Sequence, residues 1–143
     1  MNFASVKDLF TRPEFGLLII RVSVGAFLAY YGLTKFLDGT DRLAALGKAI
    51  ENVGIPAPDG TPMPMFFGIM AAAAELAGGV LLVVGYLFRP AAALLVFVMT
   101  VATVTTYGSS EGEITQWGHP LIFTLVLLGL LFTGPGRLSI QKD

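Results

Sequence analysis

The sequence predicts an all-α integral membrane protein: an antiparallel four-helix transmembrane bundle with a short amphipathic interfacial helix between spans 1 and 2. Three observations predict it. Of 143 residues, 55% are apolar and only 13% charged, about half the charged share of an ordinary soluble domain. Four apolar runs approach the length that crosses a ~30 Å hydrocarbon core at 1.5 Å per residue. Between the first two lies a polar, proline-rich segment with a helical period of its own. The reading is of one membrane domain over residues 1–143, with spans at about 15–37, 66–88, 91–107 and 119–133.

The first run, Phe15 to Leu37, is too long for the apolar region of a signal peptide. It ends in Lys35-Phe36-Leu37-Asp38 rather than a small-residue cleavage site, so it reads as a retained span. Leu43, Leu46, Ile50 and Val53 then recur at steps of three and four opposite Arg42, Lys48, Glu51 and Asn52, the pattern of a helix lying at the membrane surface. Pro56 ends that helix, and Pro58, Pro62 and Pro64 make a stiff lead into the second span. Arg89-Pro90 reads as a tight connection to the third span. Gly108 to Glu113 is an acidic, turn-rich loop, and Trp117 stands at the level of an interfacial aromatic belt. His119-Pro120 opens the fourth span and Thr133-Gly134-Pro135-Gly136 closes it.

Several function classes fall away on composition. With no Cys, the chain has no disulfide, thiolate nucleophile or Cys-ligated cluster. Nine Lys and Arg stand against ten Asp and Glu with no basic run, so no nucleic-acid partner is expected. The single histidine, His119, excludes a bis-His haem within this chain, and with Glu111 and Glu113 it makes only a weak metal set. No metal or haem ligand set is predicted. The cations Lys7, Arg12, Arg89, Arg137 and Lys142 fall on the side of the termini. Arg42 and Lys48 face them from the other side, with Lys35 at its edge. The positive-inside rule therefore places both termini in the cytoplasm.

Glu75, near the middle of the second span, is the most informative residue, because a carboxylate in hydrocarbon costs several kcal/mol unless it is paired, protonated or wet. Small residues surround it, Ala71, Ala72, Ala74, Gly78 and Gly79, so a neighbouring helix can approach closely there. On the first span Arg21, Gly25, Leu28, Gly32 and Lys35 form one stripe at helical spacing. Arg21 is the expected partner of Glu75, across an axial gap of order 8–10 Å at 1.5 Å per residue. Tyr30 and Tyr31 approach from the other direction, and Thr100, Thr103 and Tyr107 share a face of the third span. Two readings stand side by side: a buried ion pair that fixes helix register, and a proton-active, ligand-binding site within the bundle.

The run Arg21-Val-Ser-Val-Gly25-Ala-Phe-Leu-Ala-Tyr-Tyr31-Gly32-Leu-Thr-Lys35-Phe36 is followed by Val53-Gly54-Ile55-Pro56. Glu75-Leu76-Ala-Gly78-Gly79, Gly85 and Arg89 come next, and the series ends in Gly134-Pro135-Gly136-Arg137-Leu138-Ser139-Ile140. In this order and spacing, over nearly the whole chain, the sequence resembles the DoxX family of small four-span membrane proteins. Its matching polar positions are Arg21, Lys35 and Glu75. The chain departs from the pattern in carrying Tyr31-Gly32 where many members have His-Gly. The family takes its name from a subunit of a thiosulfate:quinone oxidoreductase. The resemblance thus implies a prokaryotic plasma (inner) membrane location and a subunit of a membrane oxidoreductase system, not active alone.

On that basis the expected site binds a quinone or other small amphipathic molecule. Glu75 exchanges its proton, Arg21 polarises it, and Tyr31, Lys35, Tyr30, Thr103 and Tyr107 contact the ligand. The expected partners are the lipid bilayer and other membrane subunits or a second copy of the chain. The competing expectation is a non-enzymatic assembly or transport subunit, in which Arg21 and Glu75 are purely structural.

Overall fold

The computed structural model describes residues 12–141, and among these there is no strand. The helices are α1 (Pro13–Leu37), α2 (Thr40–Lys48), α3 (Met63–Val84), α4 (Phe88–Ser109) and α5 (Ile114–Thr133), with one 3-10 segment, Ala49–Val53, continuing α2. The helices α1, α3, α4 and α5 are long and apolar enough to cross a membrane. They form an antiparallel bundle with two ends. The loop end carries residues 38–62 and 110–113, and the turn end carries the α3–α4 turn and residues 134–141. Two of the five cations assigned to the terminal side, Lys7 and Lys142, lie outside the described residues.

The boundaries differ from expectation where backbone chemistry is sharper than hydropathy. Gly85, at φ 73°, takes the left-handed conformation that ends α3, three residues short of Phe88. The connection is Gly85-Tyr86-Leu87, while Arg89 and Pro90 sit in the first turn of α4, where proline is tolerated. Leu87 is itself left-handed, at φ 45°, a strained state for a branched side chain. Pro120 does not open α5; it lies inside the helix, which begins at Ile114, so His119 is an in-helix residue and not part of a cap.

α1 and α3 meet backbone to backbone. A methyl group on Gly25 would come within 2.6 Å of the Gly79 carbonyl oxygen, and one on Gly32 would strike the backbone of Ala72 and Leu76. The stripe of small and charged residues read from α1 is the buried face, with Arg21, Gly25, Leu28 and Gly32 all buried. α4 and α5 pack as a second close pair, and the two pairs meet around Leu28, Leu82, Phe88, Leu95, Leu127 and Leu130. α2 rests on the first half of α3, where Gly47 and Gly68 touch the opposing backbone. Lys48 then staples the loop that follows, donating to Glu51 (3.0 Å), Asp59 (3.1 Å) and the Ala57 carbonyl (2.9 Å). The Glu51 hydrogen bond, followed by Asp59, holds the Lys48 ammonium above its ordinary pKa.

The C-terminal segment is a strap. Arg21, 2% exposed, donates from Nη1 to the Pro135 carbonyl (2.6 Å) and from Nη2 to the Leu138 carbonyl (2.8 Å). The strap continues over the α3–α4 turn. The Gln141 N–H donates to Gly85 O (3.1 Å), and the Gln141 side chain accepts from the Leu87 N–H (2.8 Å).

Two predictions follow from these contacts. Gly32→Leu forces two backbones apart and should cost at or above the ~3 kcal/mol upper range of overpacking. Gly129→Leu, where nothing lies within 4 Å, should leave thermal unfolding in detergent unchanged. Arg21→Leu removes two charge-assisted bonds and strands the buried Pro135 carbonyl, a loss of about 2–4 kcal/mol. It should also expose residues 134–141 to carboxypeptidase, which the wild type should resist.

Candidate functional site

The register set by the glycine contacts decides which charges meet. Gly25 faces Gly79 and Gly32 faces Ala72 and Leu76, so Arg21, one turn before Gly25, lies level with Gly85. A methyl group on Gly85 would touch the Arg21 guanidinium. Arg21 is therefore about ten residues, or ~15 Å, along the axis from Glu75, and the expected Arg21–Glu75 pair is corrected. The partner of Glu75 is Lys35, whose Nζ donates to Oε1 at 2.5 Å. Lys35 stands one turn beyond Gly32, and its four-carbon stem lets the ammonium lie back to the level of Glu75.

The Glu75 side chain is 1% exposed and that of Lys35 20%. Oε2 of Glu75 is buried and has no hydrogen-bond partner. A buried carboxylate oxygen left unpaired carries the full cost of its desolvation. The small residues around Glu75 explain its burial, since Ala72, Gly78 and Gly79 are themselves buried and let neighbouring helices close over it.

Two cavities meet at this pair. The larger, about 560 Å³, lies between α3, α4 and the α2/3-10 segment. Its walls are apolar, from Phe67, Ala71, Ala74, Val98 and Val101, and its polar groups are Lys35, Glu75, Thr105 and Thr106. Phe66, Met70 and Phe97 stand at its edge and are about half exposed on the outer surface of the bundle. At the loop end Ala49 and Ile50 cover it, tied to α4 by Asn52 donating to Thr105 Oγ1 (3.0 Å). The smaller cavity, about 280 Å³, lies on the other side of the pair, among α1, α4 and α5. It contains Tyr31, Lys35, Glu75, Thr106 and His119.

Of the residues expected at the site, Glu75 and Lys35 line both cavities and Tyr31 lines the smaller. Tyr30 is 63% exposed and edge-on to Tyr31, outside both. Thr103 donates to the Met99 carbonyl (2.7 Å) and lines neither. Tyr107 is 59% exposed and edge-on to Trp117 at 5.5 Å, also outside. Thr100 bonds back to Val96 O (2.7 Å) in the same way as Thr103. The reading missed Thr105 and Thr106. It also missed that His119 belongs to a cavity, which Pro120, read as a helix start, concealed. Among the described residues no three His, Cys, Asp or Glu side chains come together as a metal set.

The comparisons with known proteins agree with this architecture. The DoxX family model matches residues 16–108. The chain is 31% identical, over 154 aligned positions spanning 99% of each chain, to the inner membrane protein YphA of Escherichia coli (strain K12). No solved structure matches. The matched region begins before the α1 glycine stripe and contains Arg21, Lys35 and Glu75. With four apolar spans and the family's polar positions in their expected order, the chain belongs to the DoxX family.

Proposed function

We propose that this chain is a multi-pass inner-membrane subunit of an oxidoreductase system, and that its larger cavity receives a small amphipathic, quinone-like molecule with its polar head at Lys35 and Glu75. The observation that carries the reading is an apolar cavity of about 560 Å³ lined by the buried Glu75, whose Oε2 has no hydrogen-bond partner. That volume falls within the range of small-molecule sites. The half-exposed Phe66, Met70 and Phe97 at its edge suit entry from the bilayer.

The donor set fits a quinone ring. Lys35 Nζ, with two hydrogens beyond the one given to Oε1, would donate to a carbonyl oxygen, and Glu75 Oε2 would accept a hydroxyl hydrogen. A bound quinone would supply two-electron, two-proton redox chemistry. The chain's own residues orient the head, exclude water through Ala49 and Ile50, and hold a proton at Oε2. Arg21 takes no part in this reading, because its bonds go to the strap. The inner-membrane relative supports the location, and the cation bias supports cytoplasmic termini.

Mass spectrometry of an organic extract from mildly solubilised protein should show a copurified amphipathic molecule. Titration with decylubiquinone should give binding that falls at least tenfold in Lys35→Met and disappears in Ala74→Phe, which fills the cavity. Wild-type protein that yields no such molecule and does not bind the analogue would instead be a non-enzymatic assembly or transport subunit.

Lys35→Met alone should destabilise by about 3 kcal/mol, since one buried charge is left uncompensated. Lys35→Met with Glu75→Leu should recover most of that loss, and additive effects in unfolding would show that the pair does not interact. For topology, Ser109→Cys in this cysteine-free chain should react with an impermeant thiol reagent from the periplasmic side only.

A further inference from the structure

We propose that the smaller cavity is a water-filled proton conduit joining Glu75 and Lys35 to the aqueous phase at His119, on the loop end of the bundle. The proposal rests on the reading of Glu75 as a proton-exchanging group and adds the route and the side of the membrane.

The two cavities share the ion pair but differ in chemistry. Around the larger one, apart from the pair, the polar side chains are two threonines. Around the smaller one, apart from the pair, three of the eight remaining lining residues bear a polar or titratable group, Tyr31, Thr106 and His119, so that with the pair five side chains can meet a water. A space stays wet when it is roomy and offers a water two to four polar partners. About 280 Å³ with five such side chains meets both conditions. The orphaned Oε2 of Glu75 is the kind of buried acceptor that internal water satisfies.

The direction follows from the ends. His119 is exposed and five residues into α5, Thr106 is three residues from the end of α4, and Lys35 is two from the end of α1. All three lie towards the loop end. Towards the turn end the path is closed by Leu28, Leu82, Phe88, Leu95 and Leu127, each 2% exposed or less.

A proton leaving the Glu75 carboxyl passes to cavity water and leaves a carboxylate paired with Lys35. The water passes a proton to the free ring nitrogen of His119, and the other ring nitrogen releases one to bulk water. The return path reverses these steps, so no other reactant is needed. The titratable groups around the path are Tyr31, Lys35, Glu75 and His119.

Cysteine accessibility tests this directly, because the chain has no Cys of its own. Met99 lines the smaller cavity and is 6% exposed, whereas Leu95 is in the closed core. In sealed vesicles whose sidedness is read from Ser109→Cys, Met99→Cys should react with a sulfonated methanethiosulfonate from the Ser109 side. Its rate should exceed that of Leu95→Cys at least tenfold and should fall at least tenfold when Phe123→Trp fills the cavity. Should Met99→Cys not fold, Ala102→Cys, on the wall of the same cavity, takes its place. As a second readout, the protein is acidified until the infrared carboxylic-acid band of Glu75 appears, assigned by its loss in Glu75→Gln, and that band should exchange with deuterium at least fivefold more slowly in His119→Phe. No reaction at Met99→Cys in vesicles that label at Ser109→Cys, or reaction from the opposite side alone, overturns the conduit. Unchanged exchange in His119→Phe overturns the role of His119. These readouts need no ligand, so they fail or succeed independently of decylubiquinone binding.

Discussion

Where α1 and α3 meet at Gly25, Gly32 and Gly79, no side chain stands between the two backbones, and the placement of every buried charge follows from that contact. Small-residue interfaces let helices in lipid gain dispersion contacts that the hydrophobic effect does not supply there. Their second effect here is register. Any slide of α3 that replaced Gly79 opposite Gly25 by a residue with a side chain would put a Cβ where the Ala29 and Gly25 backbone leaves no room. The polar groups are carried to fixed partners by apolar packing, with Arg21 at the turn end and Lys35 beside Glu75.

The buried Arg21 and the partly exposed Lys35 are bonded by different means. Arg21 spreads its charge over two carbonyl oxygens in a fork geometry suited to a planar guanidinium. The strap that supplies them also covers the strained Leu87 turn. Lys35 is a point charge on a flexible stem and holds one oxygen of a carboxylate, leaving the other unmet. A polar pair that is only half satisfied in a low-dielectric interior is costly, and it lies where the two close helix pairs leave space on both sides. Both sites leave one buried atom unmet, Arg21 Nε and Glu75 Oε2, but Arg21 ties the strap to the bundle, whereas the Lys35–Glu75 pair borders two cavities and is the candidate for chemistry.

Much of this was legible in the sequence. Hydropathy alone gave four spans, and the 3.6-residue period identified the buried face of α1, including Gly25, Leu28 and Gly32. Glu75 and Lys35 stood out as candidate site residues because a charge inside an apolar run needs an explanation. The pairing of Arg21 was not legible, for two physical reasons. Its acceptors are backbone carbonyls, which every residue carries, and the register depends on which glycines touch. Thr103 and Thr106 illustrate the same limit. Both bond back to carbonyls of α4, at Met99 and Ala102, yet Thr106 lines both cavities and Thr103 lines neither. Helical periodicity cannot separate neighbours that flank the edge of a face.

The strap also sets an order of events in biogenesis. Arg21 belongs to α1, while its acceptors, Pro135 and Leu138, lie 114 and 117 residues later in the chain. Throughout synthesis the guanidinium therefore waits in the bilayer with water, headgroups or the insertion machinery as its only partners. Its two bonds to the strap form only after α5 has been released. A chain cut short after α5 would keep all four spans and still carry a bare cation in the first.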